Sequence, residues 1–288
     1  MAKGATQPFL HVDSKMEEMT SPEPRYVMAT GDAAARRLQL IDSIFGPSTR
    51  KLLISSGLRV GWRVADIGCG VGLMSFWMAE RVGGTGAVAA VDASAAQIET
   101  AGNYAAQQGF ANIVFHTANA YETGLPRESF DLVFSRFLMC HVPEPARAIS
   151  EMRSLLKVGG VLVCEDYEQK SVISEPPSRC YKRLNEISNA MDAAFGVDSN
   201  IGLKLPRLFQ EVGFTNPQVT IQEIVRLHGE EKRFWEITLQ EARLEILQHE
   251  TATAEELDEV CEEMRRIAED KTTLVVLARV TQVWARKE

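Results

Sequence analysis

Residues 64–72 read VADIGCGVG, and the fold class follows from this stretch and its surroundings. The stretch begins with a short apolar run that ends at Ile67, and three glycines at alternate positions follow: Gly68, Gly70 and Gly72. Short apolar runs of this kind are typical of strands buried in a parallel sheet. Glycine permits positive φ and lets a ligand approach the backbone closely. The pattern predicts a buried strand, a tight turn and a helix that begins near Val71.

Further apolar runs, rich in Val and Ile, follow this first strand. Helical stretches such as SAAQIETAGNYAAQQG and EPARAISEMRSLL lie between most of them. The predicted strands after the first are 87–93, 112–118, 130–137, 160–167, 217–227 and 274–287. Strand–helix alternation with nearly continuous apolar strands indicates an α/β fold, with a mostly parallel sheet and helices on both faces.

The chain divides into three regions by its patterning. Residues 1–58 are expected to form an N-terminal arm with helices, and residues 59–170 the ligand-binding core. Residues 171–288 are expected to form a helical lid and a region that binds a second substrate, the acceptor, and this region is interleaved with the closing strands of the same sheet. A helix is expected from Asp32, with a break at Gly46-Pro47 because proline interrupts helical hydrogen bonding.

Besides a short helix in LKLPRLFQEVGF (203–214), three more helices are predicted in the last region. Residues 176–195 and 230–248 carry apolar side chains at helical spacing, and Thr253 with Glu256 forms a possible capping box for a third helix. The helices at 176–195 and 230–270 are expected to form a substrate pocket and its lid. Their aromatic and methionine side chains indicate an apolar or aromatic substrate, and core packing explains them equally well.

Composition excludes several classes of protein. The chain has 288 residues, of which 45% are hydrophobic and 24% charged, as is usual for a globular protein. A formal net charge of −8 argues against a nucleic-acid binder, which needs a basic face. The five cysteines form no Cys-x-x-Cys pair and predict neither a zinc site nor a disulfide framework. With no signal peptide or membrane span recognised, the expected location is cytoplasmic.

Two ligand classes compete for the glycine turn. A dinucleotide fingerprint places a small residue where this chain has Leu73, and the carboxylate of Asp66 would face a pyrophosphate unfavourably. The same carboxylate favours a ligand with an ammonium and a sulfonium charge, which S-adenosylmethionine (SAM) carries. Asp92 ends the second strand, where an acid can bind ribose hydroxyls in either class. Asn119 after the third strand is a candidate for the adenine amino group, or a turn residue.

These motifs together resemble the class I SAM-dependent methyltransferases. VADIGCGVG, AVDAS, ANAYETGLP, FDLVFSRFLMCHVPEP and LLKVGGVLVCED are similar to motifs on successive strands of that class, over about residues 59–167. The similarity is greatest to ubiquinone/menaquinone-type C-methyltransferases and to small-molecule methyltransferases of natural-product pathways. It implies a Rossmann-like sheet of seven strands with the last strand antiparallel.

The resemblance also implies a cofactor and a reaction. SAM would be bound, S-adenosylhomocysteine released, and a methyl group transferred by in-line displacement to a hydroxyl or activated carbon of a small organic acceptor. The residues expected to bind the cofactor are Tyr26, Asp66, Gly68, Cys69, Gly70, Gly72, Asp92, Ala93, Gln97, Asn119, Ala120, Tyr121, Ser135 and Arg136.

His141 and Asp166 are the candidate catalytic residues. His141 follows the fourth strand, where a near-neutral pKa would suit a general base, and Asp166 ends the fifth strand, where it can orient His141 or act directly. His141 can equally cap the next helix or pack beside the methionine moiety. The neighbouring Glu165 is expected to have no direct role. The histidines lack metal-ligand spacing, so no catalytic metal is expected.

Other functions remain open at this stage. A SAM-binding regulatory or scaffolding protein without methyl transfer is the main alternative, and a nicotinamide-dependent oxidoreductase is disfavoured by Leu73 and Asp66. SRFLMCHVPEP lacks the Pro-Pro-aromatic motif of amino-group methylases that act on nucleic acids, which favours a small-molecule partner. The sequence does not decide whether the chain forms a homodimer.

Overall fold

A computed structural model describes residues 32–288 of the chain, and the elements in it alternate between strands and helices. The helices are α1 (Asp32–Ser55), α2 (Leu73–Val82), α3 (Ala95–Gln108), α4 (Pro145–Leu155), α5 (Arg179–Phe195), α6 (Leu205–Glu211), α7 (Phe234–Glu241), α8 (Arg243–Gln248) and α9 (Ala254–Glu269). The strands are β1 (Arg63–Ile67), β2 (Ala87–Asp92), β3 (Ile113–Thr117), β4 (Phe130–Arg136), β5 (Leu156–Glu168), β6 (Ile173–Glu175), β7 (Gln218–Arg226) and β8 (Leu274–Arg286).

All these strands belong to one sheet. Strands β3, β2, β1, β4 and β5 are adjacent in that order and parallel, and β8 pairs with β5 in the antiparallel direction. Both β7 and the three-residue β6 pair with β8 as well. The expected α/β fold is confirmed, with a mostly parallel sheet and the last strand antiparallel. Strand β6 is an eighth strand that the sequence pattern did not predict, because three residues are too few to show a period.

Apolar side chains bury both faces of the central strands. On β1, Val64 packs into a cluster with α2, whereas the next residue, Ala65, belongs to a cluster with α4 on the opposite face. Leu132 and Val133 of β4 divide in the same way. Because successive side chains of a strand point to opposite faces, this division explains why the strands read as continuous apolar runs.

Helix α1 continues through Pro47, so the expected break at Gly46-Pro47 is wrong. Phe45 before the proline and Leu53 after it are both buried in the protein interior. Arg50 also forms an ion pair with Asp42, which joins the two halves of the helix. Burial on both sides of Pro47 therefore outweighs the hydrogen bond that proline cannot donate.

In residues 171–288 the structure confirms part of the helix prediction. Helix α5 ends at Gly196, which has a φ of +65°, and α9 begins with the predicted capping box of Thr253 and Glu256. The single helix expected over 230–248 is instead a short 3₁₀ turn followed by α7 and α8. In that 3₁₀ turn the buried Lys232 ammonium donates to the carbonyls of Leu227 and Thr273 at 3.2 and 2.9 Å, which connects the turn to the segments before it and before β8. Within residues 32–288, no helix is long and apolar enough to cross a membrane.

Close packing at the turn between α2 and β2 makes one glycine there indispensable. A Cβ added to Gly86 would lie 2.5 Å from the Cβ of Val82 and 2.7 Å from the carbonyl oxygen of Trp62. We expect Gly86→Ala to lower the free energy of unfolding by about 1–3 kcal/mol, as overpacking usually does, measured by urea denaturation. Gly84→Ala is the control, since nothing lies within 4 Å of its added Cβ. Equal effects of the two substitutions would contradict this account.

Candidate active site

A cavity of about 410 Å³ opens at the carboxyl ends of β1, β2 and β4. Its lining includes the glycine turn after β1 and side chains from α1 and α7. Ligands of open parallel sheets bind at this position, where the chain leaves neighbouring strands toward different helices. The cavity is therefore the candidate active site.

The glycine turn has the conformation that its sequence predicts. Gly68, Gly70 and Gly72 have φ values of +77°, +58° and +82°, a region that other residues rarely adopt. Gly68 and Gly70 line the cavity together with Cys69. Gly72 lies outside the lining, and a Cβ there would meet the Phe76 ring at 3.1 Å. Its role is thus to let α2 pack closely, while the first two glycines open the backbone to a ligand.

Asp66 lies in the cavity wall directly before the glycines. Its side chain is 2% exposed and accepts a hydrogen bond of 2.5 Å from the hydroxyl of Ser75. Burial raises the pKa of Asp66 to about 6, although the Ser75 hydrogen bond and the charge of Arg136 lower it. An ionised carboxylate at this position lacks sufficient solvation, so it would be stabilised by a positively charged ligand.

Asp92 joins the end of β2 to the glycine turn. One carboxylate oxygen accepts from the backbone N–H of Gly70 at 2.8 Å, and the other accepts from that of Ser94 at 2.9 Å. Burial raises the pKa of Asp92 despite these hydrogen bonds. Ala93 and Gln97 follow in the same wall, where Gln97 lies beside Gly70. Since each carboxylate oxygen has a second lone pair, Asp92 can still accept hydrogen bonds from ligand hydroxyls.

The segment after β3 brings three more predicted residues to the cavity. Asn119, Ala120 and Tyr121 all line it. The side-chain oxygen of Asn119 accepts from the backbone N–H groups of Tyr121 and Glu122, each at 2.9 Å, and so acts as the turn residue that was its alternative interpretation. The hydroxyl of Tyr121 accepts from the backbone N–H of Glu144 at 3.1 Å, which connects this turn to the start of α4.

Of the two residues predicted at the end of β4, one lines the cavity. Ser135 is buried outside the lining, whereas Arg136 lies in the wall. The guanidinium of Arg136 is 3.5 Å from the carboxylate of Asp42 and 3.4 Å from the hydroxyl of Thr49. Arg136 thus attaches the sheet to helix α1. Tyr26, the remaining predicted cofactor residue, lies outside the described residues.

His141 lines the cavity from the 3₁₀ turn at Met139–His141. Burial and the positive charge of Arg37 lower its pKa to about 4. The near-neutral pKa expected from the sequence is therefore wrong, because the imidazole is half-buried in the cavity wall and lies near a cation. At pH 7 His141 is uncharged.

Asp166 is fully buried and lies outside the cavity lining. Its carboxylate accepts from the backbone N–H of Cys140 at 3.1 Å and from its neighbour Tyr167 at 2.9 Å. Burial raises the pKa of Asp166 to about 7. Its contacts are thus with the turn that carries His141. Glu165 is also buried outside the lining and accepts from Gln282 at 2.7 Å and from Thr49.

Aromatic side chains form a further part of the cavity wall, and most of them were not predicted as part of the site. Ring centroids are 5.0 Å apart between Phe45 and Phe137, 5.3 Å between Phe137 and Tyr167, and 5.8 Å between Tyr167 and Trp235. Phe137 has a φ of +53°, which is unusual for an aromatic residue and marks strain at a functional position.

Helices α1 and α7 supply the rest of this wall. The lining includes Arg37, Leu38, Ile41 and Phe45 from α1, and Phe234, Trp235 and Thr238 from α7. In the part of the chain that the structure describes, neither α5 nor α9 contributes a lining residue, so the expectation that 176–195 forms the pocket does not hold for this cavity. The helical spacing of Leu38, Ile41 and Phe45 is the feature of the sequence that could have indicated these cavity residues, but that spacing is also typical of core packing.

No group of three His, Cys, Asp or Glu side chains positioned to hold a metal ion occurs among residues 32–288. The five cysteines are all free, and only Cys69 is more than slightly exposed. The polar side chains that line the cavity include carboxylates, guanidiniums, an imidazole, amides and hydroxyls.

Comparison with known proteins identifies the class to which this fold and site belong. Residues 58–213, more than half of the chain, match a methyltransferase domain family, and the chain belongs to that family. The resemblance seen in the motifs is thereby confirmed. A SAM-dependent methyltransferase from Aquifex aeolicus shares the fold, with a TM-score of 0.51 and 20% identity over 65% of this chain and 90% of that one.

Two curated relatives carry names that refer to small molecules. The aklanonic acid methyltransferase of Streptomyces sp. (strain C5) is 36% identical over 116 residues, which cover 40% of this chain and 53% of that protein. The ubiquinone/menaquinone biosynthesis C-methyltransferase of Hahella chejuensis is 28% identical over 165 residues, or 55% of this chain and 66% of that protein. The chain thus spans between half and two-thirds of the length of these relatives.

The burial of Asp66 predicts a pH-dependent contribution to stability. Its pKa rises from 3.8 to about 6 on folding, so ionisation destabilises the folded state as pH rises from about 4 to about 6. In Asp66→Asn this loss is absent, and the difference in unfolding free energy between variant and parent should change by about 2–3 kcal/mol between pH 4 and pH 7, in favour of the variant at pH 7. Urea denaturation at both pH values measures this change, and parallel pH curves would contradict it.

Proposed function

We propose that the protein is a SAM-dependent methyltransferase that acts on a small organic acceptor at a hydroxyl or activated carbon. The observation that carries this proposal is the set of residues that line one cavity. The carboxylates of Asp66, which is buried, and Asp92, which is half-buried, lie beside the glycine turn, and aromatic rings from α1, α7 and the ends of β4 and β5 line the same cavity. Such a cavity suits a positively charged nucleoside beside the carboxylates and a carbon-rich acceptor beside the rings.

The residues present fit SAM better than a dinucleotide. Gly68 and Gly70 present backbone to the cavity, and a Cβ at Gly70 would meet Gln97 at 3.0 Å and Leu38 at 3.5 Å, so the turn has no room for a side chain. The buried carboxylate of Asp66 gains from a cationic ligand and opposes a diphosphate. Leu73 lines the cavity where a dinucleotide site needs a small residue. Asp66 would face the charged methionine part, Asp92 the ribose, and residues 119–121 the adenine.

When bound, SAM supplies an electrophilic methyl group, and the chain has to align the acceptor and exclude water. The aromatic wall of Phe137, Tyr167 and Trp235 would orient the acceptor and keep the reacting atoms dry, which favours in-line displacement. His141 is uncharged and can accept a proton or a hydrogen bond from the acceptor. Asp166 is a positioning residue, because it holds the backbone of the turn that carries His141.

The curated relatives support a small-molecule acceptor, since their names refer to aklanonic acid and to quinones. The alternative function is SAM binding without methyl transfer, and incubation with labelled SAM and a metabolite panel, read by mass spectrometry, separates the two. A cytoplasmic location and the absence of a nucleic-acid partner remain predictions from the sequence, which does not decide whether the chain forms a homodimer.

Cofactor binding provides the first test of the proposal. Titration calorimetry should detect SAM binding and no NAD binding, because the carboxylates select a cation. Asp92→Ala should reduce SAM affinity about tenfold or more, since ribose hydroxyls and the Gly70 N–H lose their acceptor. Asp131→Ala is the control, because Asp131 lies at the opposite end of the sheet, beside Lys157. Tight NAD binding without SAM binding would overturn the assignment.

Removal of the imidazole tests the role of His141. His141→Ala should leave SAM affinity intact and lower turnover about 10²-fold, because the acceptor loses a neutral partner in a dry cavity. With a pKa of about 4, His141 should cause no inflection in the rate of the parent protein between pH 5.5 and pH 8. Unchanged turnover in the variant would assign His141 a structural role, and an inflection near pH 6.5 that disappears in the variant would contradict its low pKa.

A further inference from the structure

Strand β7 lies at the edge of the sheet, where one of its faces is exposed. Among the described strands it pairs with β8 alone. Successive side chains of a strand point to opposite faces. On one face of β7, Ile224 packs against the buried cluster to which α5, α7 and α9 contribute. The other face consists of the exposed alternate residues Val219, Ile221, Glu223, Val225 and Leu227.

The exposed face continues onto the neighbouring strands. Val225 is paired with Val276 of β8, and Val276 with Ile173 of β6. Paired residues point to the same face of a sheet, so these three apolar side chains form one row. In the described chain the helix layer on this face ends before β7, since Val283, the β8 partner of Val219, is buried in a cluster with α6 whereas Val219 is exposed.

The 3₁₀ turn at Gly202–Lys204 adds one more apolar residue to this face. The turn lies against the carboxylate of Glu168. Glu168 points to the same face as Glu223, because Arg279 of β8 is paired with both. Leu203 of the turn is exposed there.

Together these apolar residues form a contiguous surface, which we call the β7 patch. Each of its members is between 42% and 56% exposed, and they are Ile173, Leu203, Val219, Ile221, Val225 and Leu227. Single exposed apolar residues are common on proteins, whereas a contiguous group of this kind marks an interaction site. An apolar edge strand that stays uncovered also favours aggregation, so we expect a partner to cover it.

One ion pair lies in the middle of the β7 patch. The guanidinium of Arg279 donates to the carboxylate of Glu223 at 3.3 Å, and both side chains are nearly half exposed. Arg279 also lies 3.7 Å from the buried carboxylate of Glu168, which helps to fix its position. The middle of the patch thus exposes one positive and one negative group on adjacent strands.

A surface with this arrangement of charges is complementary to itself. When two copies pack face to face about a two-fold axis that runs between β7 and β8, Glu223 of each copy lies opposite Arg279 of the other. The apolar residues then surround two ion pairs that cross the interface. A partner of another sequence would need the same arrangement by coincidence, whereas a second copy has it by symmetry.

We propose that the β7 patch is the interface of a homodimer in which the sheets of two copies pack face to face. This inference is independent of the proposed function, because the patch and its ion pair contain no residue of the described cavity lining.

The area of the patch sets the expected strength of the dimer. A nine-residue strand and its two neighbours cover roughly 30 Å by 14 Å, or about 400 Å² on each copy. Because protruding side chains make the accessible surface larger than this projection, two such faces bury about 1,000 Å², the lower limit for a specific interface. We therefore expect a dimer that dissociates at micromolar concentrations.

Sedimentation equilibrium of the full chain between about 1 and 200 µM tests the proposal. We expect the parent protein to be dimeric at the upper end of this range and to dissociate toward the lower end. Ile221→Asp places a charge in the middle of the apolar surface and should weaken dimerisation at least tenfold. Glu223→Arg brings like charges together across the two-fold axis and should weaken it as well.

Two control variants carry the same new charge elsewhere on the sheet. Thr220→Asp lies on the other face of β7, and Val114→Asp lies on β3 at the opposite edge, where Val114 is exposed. Both should leave dimerisation unchanged. Circular dichroism and urea denaturation check that each variant is folded.

Three results would overturn the inference. These are a parent protein that stays monomeric at the highest concentration, a dimer that persists in folded Ile221→Asp, and equal weakening by Thr220→Asp, which an edge-to-edge dimer through the backbone of β7 would show. A monomeric parent would leave the β7 patch to another occupant, such as the segment before Asp32 or a different protein. If Ile221→Asp does not fold, Glu223→Arg decides, because it changes only an exposed side chain.

Discussion

The hydrogen bond from the backbone N–H of Gly70 to the carboxylate of Asp92 is the contact on which the geometry of the cavity depends. It forms because Gly68 and Gly70 have positive φ, which turns the chain after β1 toward the end of β2. The same carboxylate accepts from Ser94 at the start of α3, so one side chain joins two strand ends and a helix. Its burial disfavours its own charge, and the folded protein tolerates this because backbone donors compensate in part.

Local patterns predicted the strands, the glycine turn and the capping box of Thr253, because each depends on neighbouring residues. Contacts between residues far apart in the sequence determine the features that the sequence did not predict. Pro47 stays within α1 because residues on both sides of it are buried against other elements. Arg37 is held in the cavity wall by its ion pair with Glu241 on α7. The low pKa of His141 likewise arises from burial and from a charge on another helix, and neither is visible in the sequence around it.

The position of β8 has a consequence for how the chain folds. This strand lies between β5 and β7, and its Gln282 bonds to Glu165, 117 positions earlier. Pairing between such distant residues has a high entropic cost and forms slowly. Until β8 enters, β5 and β7 each have an unpaired edge in the middle of the future sheet. Intermediates at that stage would be prone to aggregation, and the kinetics of refolding should be governed by the insertion of this one strand.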